Sequence, residues 1–114
     1  MSVKLTTRQV GDVTVIDAVG RITLGEGSSA FRETIRDLVA KGNKKLLLNL
    51  ADVSYIDSSG IGELVSAFTT VTNHGGVLKL LNLTKRVQDL LQITKLYTVF
   101  EVFDDEAAAV RSFA

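Results

Sequence analysis

The stretch Lys45-Leu46-Leu47-Leu48-Asn49-Leu50 is apolar at nearly every position, and a periodic stretch of helical length follows soon after it. A strand with one wet face alternates apolar and polar residues. A run this continuous needs cover on both faces, or a place in the middle of a sheet. Downstream, Ile61, Leu64, Val65, Phe68 and Val71 share one side of a helix expected from about Ser58 to His74, which Gly75-Gly76 ends. Val77-Leu78-Lys79-Leu80-Leu81 is then a second strand. Strand, helix and strand in that order imply a right-handed crossover and parallel pairing.

The flanking sequence extends this plan. Val3 to Leu5 with Val10, and Val13, Val15, Ile16, Ala18 and Val19, are separated by Gly11-Asp12, which predicts an antiparallel hairpin. Gly20 to Gly27 reads as a loop. Ser28 or Ser29 is then expected to cap a helix with Phe31, Ile35, Leu38 and Val39 on one face, closed by Gly42. Thr84 to Gln92 reads as a short helix with Val87, Leu90 and Leu91 inward. Val99 to Phe103 is a last strand, and Asp104 or Asp105 caps a closing helix through Val110 and Phe113. The fold expected is α/β: a mixed, mostly parallel sheet of four to five strands with an N-terminal β-hairpin and about four helices. Its 114 residues suit one domain spanning 1–114, able to bury roughly two-thirds of the unfolded surface.

Charge and composition narrow the function. Thirteen basic residues balance thirteen acidic ones, which argues against a nucleic-acid or membrane-surface binder. The adjacent basic pairs Lys44-Lys45 and Lys85-Arg86 read as solvated ends of elements. With no cysteine and one histidine there is no disulfide, no thiolate chemistry and no Cys- or His-rich metal site. The first residues hold no long apolar run, and no apolar stretch approaches the ~20 residues that span a bilayer. A soluble cytoplasmic protein without metal or cofactor is expected.

Catalysis is disfavoured too. A Ser-His-Asp triad would need His74 beside Ser58 or Ser59, yet a continuous helix separates His74 from Ser58 by about 24 Å. His74 fits a helix C-terminus, where it meets the negative end of the dipole. Gly60-Ile61-Gly62 lacks the third glycine of a dinucleotide loop, since position 65 is valine, and no Walker-type phosphate loop occurs. Asp52 and Asp57 have no carboxylate cluster around them. No catalytic residues are assigned.

What remains is Asp57-Ser58-Ser59-Gly60, where a buried strand gives way to a helix. Asp57 or Ser58 as a helix cap is the plain reading, worth about 1 kcal/mol. A cap accounts for neither the second serine nor the bare end left by Gly60 and Gly62. Nor does it account for the uncharged outer face formed by Ser66, Thr69 and Thr70. A small-residue helix end suits docking against another protein and leaves a hydroxyl within reach of a kinase.

At Asp57-Ser58-Ser59-Gly60-Ile61-Gly62 the sequence resembles the STAS domains of sulfate transporters and anti-sigma factor antagonists, above all the free-standing bacterial antagonists. Their hallmark is D-S-[ST/A]-G-[LI]-G between a buried strand and the second long helix. Val19-Gly20-Arg21-Ile22 is similar to the family's V-x-G-x-[IL]. Val87 to Leu91, Thr94-Lys95-Leu96 and Val99 to Phe103 resemble its ending. Many relatives carry a proline where this chain has Thr84 or Lys85. The resemblance implies a partner-switching regulator of sigma factors and so of transcription. Unmodified, it would bind an ATP-dependent serine kinase that is also an anti-sigma factor. Phosphorylation of Ser58, with Ser59 the alternative acceptor, would release that kinase, and a PP2C-type phosphatase would restore the cycle. Asp57, Ser58, Ser59, Gly60, Ile61 and Gly62 would form the partner-binding segment. The other reading is a non-switching STAS scaffold subunit of a stressosome-like or lipid-transport complex.

Overall fold

The computed structural model describes residues 3–23 and 26–113. Five strands form one sheet in the order β1-β2-β3-β4-β5. β1 (Val3–Val10) and β2 (Val13–Ile22) pair antiparallel, with Val10 opposite Val13. Gly11 between them takes φ 63°, the left-handed conformation that a two-residue hairpin turn requires and glycine adopts freely. β3 (Lys45–Ile56) lies parallel to β2 and to β4 (Val77–Leu81), and β5 (Val102–Phe103) pairs parallel with β4. The mixed sheet with an N-terminal hairpin is therefore the expected one.

β3 is central and covered on both faces, as its apolar run implied. Leu46, Leu48 and Leu50 join the larger core beneath α1 (Glu26–Ala40), α2 (Ser58–Asn73) and α3 (Lys85–Ile93). Phe31, Ile35, Ile61, Leu64, Val71, Val87 and Leu91 fill that side. Leu47 points the other way, with Val13, Val15 and Leu81, onto Ala109 of the short helix α4 (Glu106–Arg111). Period-two alternation across a central strand thus supplies two cores from one run.

Three boundaries differ from expectation. The loop expected over Gly20 to Gly27 is mostly ordered element: β2 continues to Ile22, and α1 begins at Glu26. Gly20, with φ 117°, belongs to a strand whose pairing with β3 shifts register between Asp17 and Val19 and again between Gly20 and Arg21. A glycine there marks a bulge, not a chain exit. Ser28 and Ser29 accordingly lie inside α1 and not ahead of its first turn, and Leu24 and Gly25 fall outside the described residues. The strand expected over Val99 to Phe103 shrinks to Val102–Phe103, because Phe100 turns into the core and meets Phe68 edge-on at 5.5 Å. The closing helix is capped by Asp105.

An ion-pair cluster ties α4 to the hairpin. Arg8 Nε donates to Asp17 Oδ2 at 2.7 Å, and Arg8 Nη2 donates to Glu106 Oε1 at 2.5 Å. Hydrogen bonding from the Arg8 guanidinium holds both carboxyls below the usual carboxylate range. A depressed folded-state pKa stabilises above the unfolded value of about 4 and loses that contribution as pH falls through the folded value. Exposure to solvent keeps each contact to about 0.2–1 kcal/mol. Arg8→Gln is therefore expected to melt below the wild type at neutral pH, with the gap closing as pH drops below about 4. Thermal melts of both proteins across that range check it; a gap that persists at acid pH would refute the ion-pair origin.

Candidate functional site

The segment 57–62 forms the junction of β3 and α2. Asp57 is the cap: its backbone is extended (φ −112°, ψ −175°), and its Oδ1 accepts the Gly60 N–H at 2.9 Å. Of the two cap candidates the structure selects the aspartate. Ser58 is thereby released from that duty. It stands exposed in the first turn of α2, and its hydroxyl makes no hydrogen bond among the described residues. Ser59 makes none either, but it is half-buried.

The two glycines do different things. A Cβ on Gly60 would sit 2.2 Å from the Ile22 carbonyl oxygen and 2.6 Å from Ile56 Cγ1. Glycine is required there so that α2 can approach the ends of β2 and β3. A Cβ on Gly62 would meet nothing within 4 Å. Gly62 is exposed, so packing within the chain gives no reason for its lack of a side chain. Ile61 is buried in the core and anchors the segment without presenting itself to a partner. Hence Gly60 and Ile61 build the surface, while Ser58 and Gly62 are its accessible members.

Along α2 the exposed positions are Ser58, Gly62, Ser66, Thr69, Thr72 and Asn73, all uncharged. The helix has one charged residue, Glu63, bound by Arg32 of α1 at 2.5 Å. His74 closes the far end, its Nδ1 2.8 Å from the Thr70 carbonyl oxygen, so the helix holds it apart from both serines. Among the described residues no cluster of three or more His, Cys, Asp or Glu side chains could hold a metal ion. A hollow of about 640 Å³ opens at the carboxyl ends of β4 and β5, lined by Ala51, Asn82, Thr84, Gln88 and Phe103 among others. None of its lining residues belongs to 57–62, and the candidate site is a surface, not a cavity. No helix among the described residues is long and apolar enough to cross a membrane.

Residues that the sequence did not assign to the site complete the surroundings. Tyr55, next to the end of β3, carries two guanidinium groups over its ring: that of Arg21 at 5.0 Å and that of Arg86 at 4.6 Å from the centroid. Arg86 Nε also donates to the Ile56 carbonyl at 3.2 Å. The solvated reading of Lys85-Arg86 holds, since both residues are exposed at the start of α3. Lys85 meets Asp89 at 3.7 Å, while Arg86 has the added contacts to Tyr55 and Ile56. Thr84 caps α3 by accepting the Val87 N–H at 3.3 Å, which supplies the helix start without a proline.

A five-stranded mixed sheet with a capped, uncharged α2 face defines the class, and known proteins agree. The STAS domain family model matches residues 4–109, and the chain belongs to that family. It is 32% identical to the anti-sigma-B factor antagonist of Bacillus subtilis (strain 168), over 90% of this chain and 92% of that protein. The crystal structure of TM1081 from Thermotoga maritima superposes with a TM-score of 0.86 at 25% identity, covering 95% of this chain and 92% of that one. The phosphorylated form of the Bacillus cell fate determinant SpoIIAA gives 0.75 at 19% identity, over 97% and 100%, and there the likeness is one of fold.

Asp57→Asn separates the cap from the charge. Asparagine keeps an oxygen for the Gly60 N–H, so the melting temperature is expected to stay near the wild-type value, whereas Asp57→Ala loses about 1 kcal/mol. If the segment docks the kinase that the resemblance implies, phosphorylation of the adjacent serine or partner binding is expected to fall in both. Thermal melts beside a kinase-binding titration check this; Asp57→Asn with normal binding and a lost kcal/mol would leave Asp57 a purely structural residue.

Proposed function

We propose that this chain is an anti-sigma factor antagonist that works as a phospho-regulated partner switch. Unmodified, it binds an ATP-dependent serine kinase that is itself an anti-sigma factor; phosphorylated on Ser58, it lets the kinase go. A PP2C-type phosphatase resets it. The observation that carries the reading is the exposed Ser58 hydroxyl, free because Asp57 has taken over the cap. The anti-sigma-B factor antagonist of Bacillus subtilis and the existence of SpoIIAA in phosphorylated and unphosphorylated forms support it.

The chemistry suits the position. A phosphoserine adds about −1.5 to −2 charge, which the positive end of α2 accommodates, so the fold survives. The same charge and its hydration shell interrupt an uncharged docking face, so the complex does not. The chain needs no catalytic group of its own; the phosphoryl donor and transfer machinery belong to the kinase. Ser58 is preferred to Ser59 because it is exposed and Ser59 is half-buried. Incubation with ATP and a serine kinase encoded beside this gene, followed by intact mass and site mapping, tests the assignment. One phosphate on Ser58 is expected. No phosphate on either serine would replace the switch with the non-switching scaffold role.

A further inference from the structure

Arg21 is the next-to-last residue of β2, within its V-G-R-I stretch, and Arg86 is the second residue of α3, yet both guanidinium groups converge on Tyr55. Two like charges over one ring repel each other, and both side chains are exposed. The ring faces and the Ile56 carbonyl hold them in place. Neither arginine has a carboxylate partner: the ion pairs of the described residues involve Arg8, Arg32, Lys45, Lys79 and Lys85 instead. Their position is specific as well. Arg86 binds the carbonyl of Ile56, two residues before Ser58, and Arg21 precedes Ile22, whose carbonyl Gly60 packs against. Two preorganised cations with no carboxylate partner among the described residues thus border the uncharged end of α2.

We propose that Arg21 and Arg86, held by Tyr55, are the charged contact of the docking surface and seat on a carboxylate cluster of the partner kinase. This rests on the partner-switching reading and adds which side chains the partner touches. The guanidinium fork matches carboxylates in a bidentate fashion, and stacking removes much of the entropy that a free arginine would lose on binding. The arginines are unpaired while Ser58 is unmodified, which is the state that binds. A phosphate on Ser58 then competes for the same guanidinium groups and draws them off the partner's carboxylates, a second route to release beyond the hydration of the phosphate.

The test uses unphosphorylated full-length chain and the kinase that modifies Ser58, titrated at two salt concentrations. Arg21→Gln and Arg86→Gln are each expected to bind about tenfold more weakly with near-normal melting. Arg21→Glu is expected to lose a further factor of about ten. The double glutamine variant should lose most of the salt dependence of the wild type. The Arg21 side chain makes no hydrogen bond among those described, so its variants stay informative even if Arg86→Gln loosens α3. Wild-type affinity in the arginine variants, with Ser58 phosphorylation still releasing the kinase, would overturn the arginine contact and leave the switch standing. Wild-type affinity combined with failure to release after phosphorylation would assign the arginines to the phosphate and likewise overturn it. A kinase that binds and phosphorylates nothing would remove the partner-switching reading and this contact with it.

Discussion

Gly60→Ala is expected to destabilise the fold by about 3 kcal/mol or more, although alanine is the better helix former. Propensity favours alanine over glycine within a helix by ~1 kcal/mol. At position 60 that gain is overwhelmed, because the new methyl would lie 2.2 Å from the backbone oxygen of Ile22 and 2.6 Å from Ile56 Cγ1. The nearer obstacle is main chain in β2, so relief requires α2 to move off the sheet and open the packing of Ile61 and Leu64. Overpacking of a tight core costs about 1–3 kcal/mol and at times more, and a backbone clash belongs at the upper end. For a domain of this size that lowers the melting temperature by roughly 10–20 °C. Gly62→Ala is the internal control, since its methyl meets nothing. It is expected to stabilise by up to about 1 kcal/mol while weakening partner binding. Thermal melts of the two variants decide the matter: equal melting temperatures would contradict the close approach at Gly60. Unchanged binding by Gly62→Ala would mean that no partner covers that helix face.

The same pair shows where the sequence is legible. Both glycines read as a bare helix end, and only the close approach of Gly60 to the Ile22 carbonyl and the Ile56 side chain distinguishes them. The strand-helix junction itself was readable because two signals coincide there: the apolar period changes from that of a strand to that of a helix, and Asp57 carries a capping side chain. Signals failed where one residue type serves two purposes. Ser28 and Ser29 look like a cap yet lie within α1. Gly20 looks like a turn yet sits in a bulged strand. The apolar residues from Val99 to Phe103 look like a strand, while Phe100 spends its ring on Phe68 in the core. Tyr55, Arg21 and Arg86 are distant in sequence, and Arg86 is indistinguishable from its neighbour Lys85 until Ile56 and Tyr55 are seen beside it.

Ser58→Ala is expected to leave folding nearly untouched, within about 0.5 kcal/mol, since Asp57 makes the capping hydrogen bond and the serine is exposed. In function it should behave as a locked antagonist: folded, bound to the kinase continuously and unable to accept phosphate on Ser58. Ser58→Asp should also stay folded, because a carboxylate in the first turn of a helix is favoured by the dipole. Its charge is roughly half that of phosphoserine, so it mimics the modified state incompletely. Even so, it should bind the kinase at least tenfold more weakly, a loss of about 1.4 kcal/mol. The two variants thus diverge in binding while agreeing in stability, a pattern that a purely structural serine cannot produce. Ser59→Ala, run in parallel, tests the choice of acceptor: it is expected to be phosphorylated like the wild type. Phosphate appearing on Ser59 in the Ser58→Ala protein at the wild-type rate would move the acceptor one residue along while keeping the switch. Equal kinase affinity for Ser58→Ala and Ser58→Asp would instead show that charge at the head of α2 does not control docking, and the partner-switching function would fall.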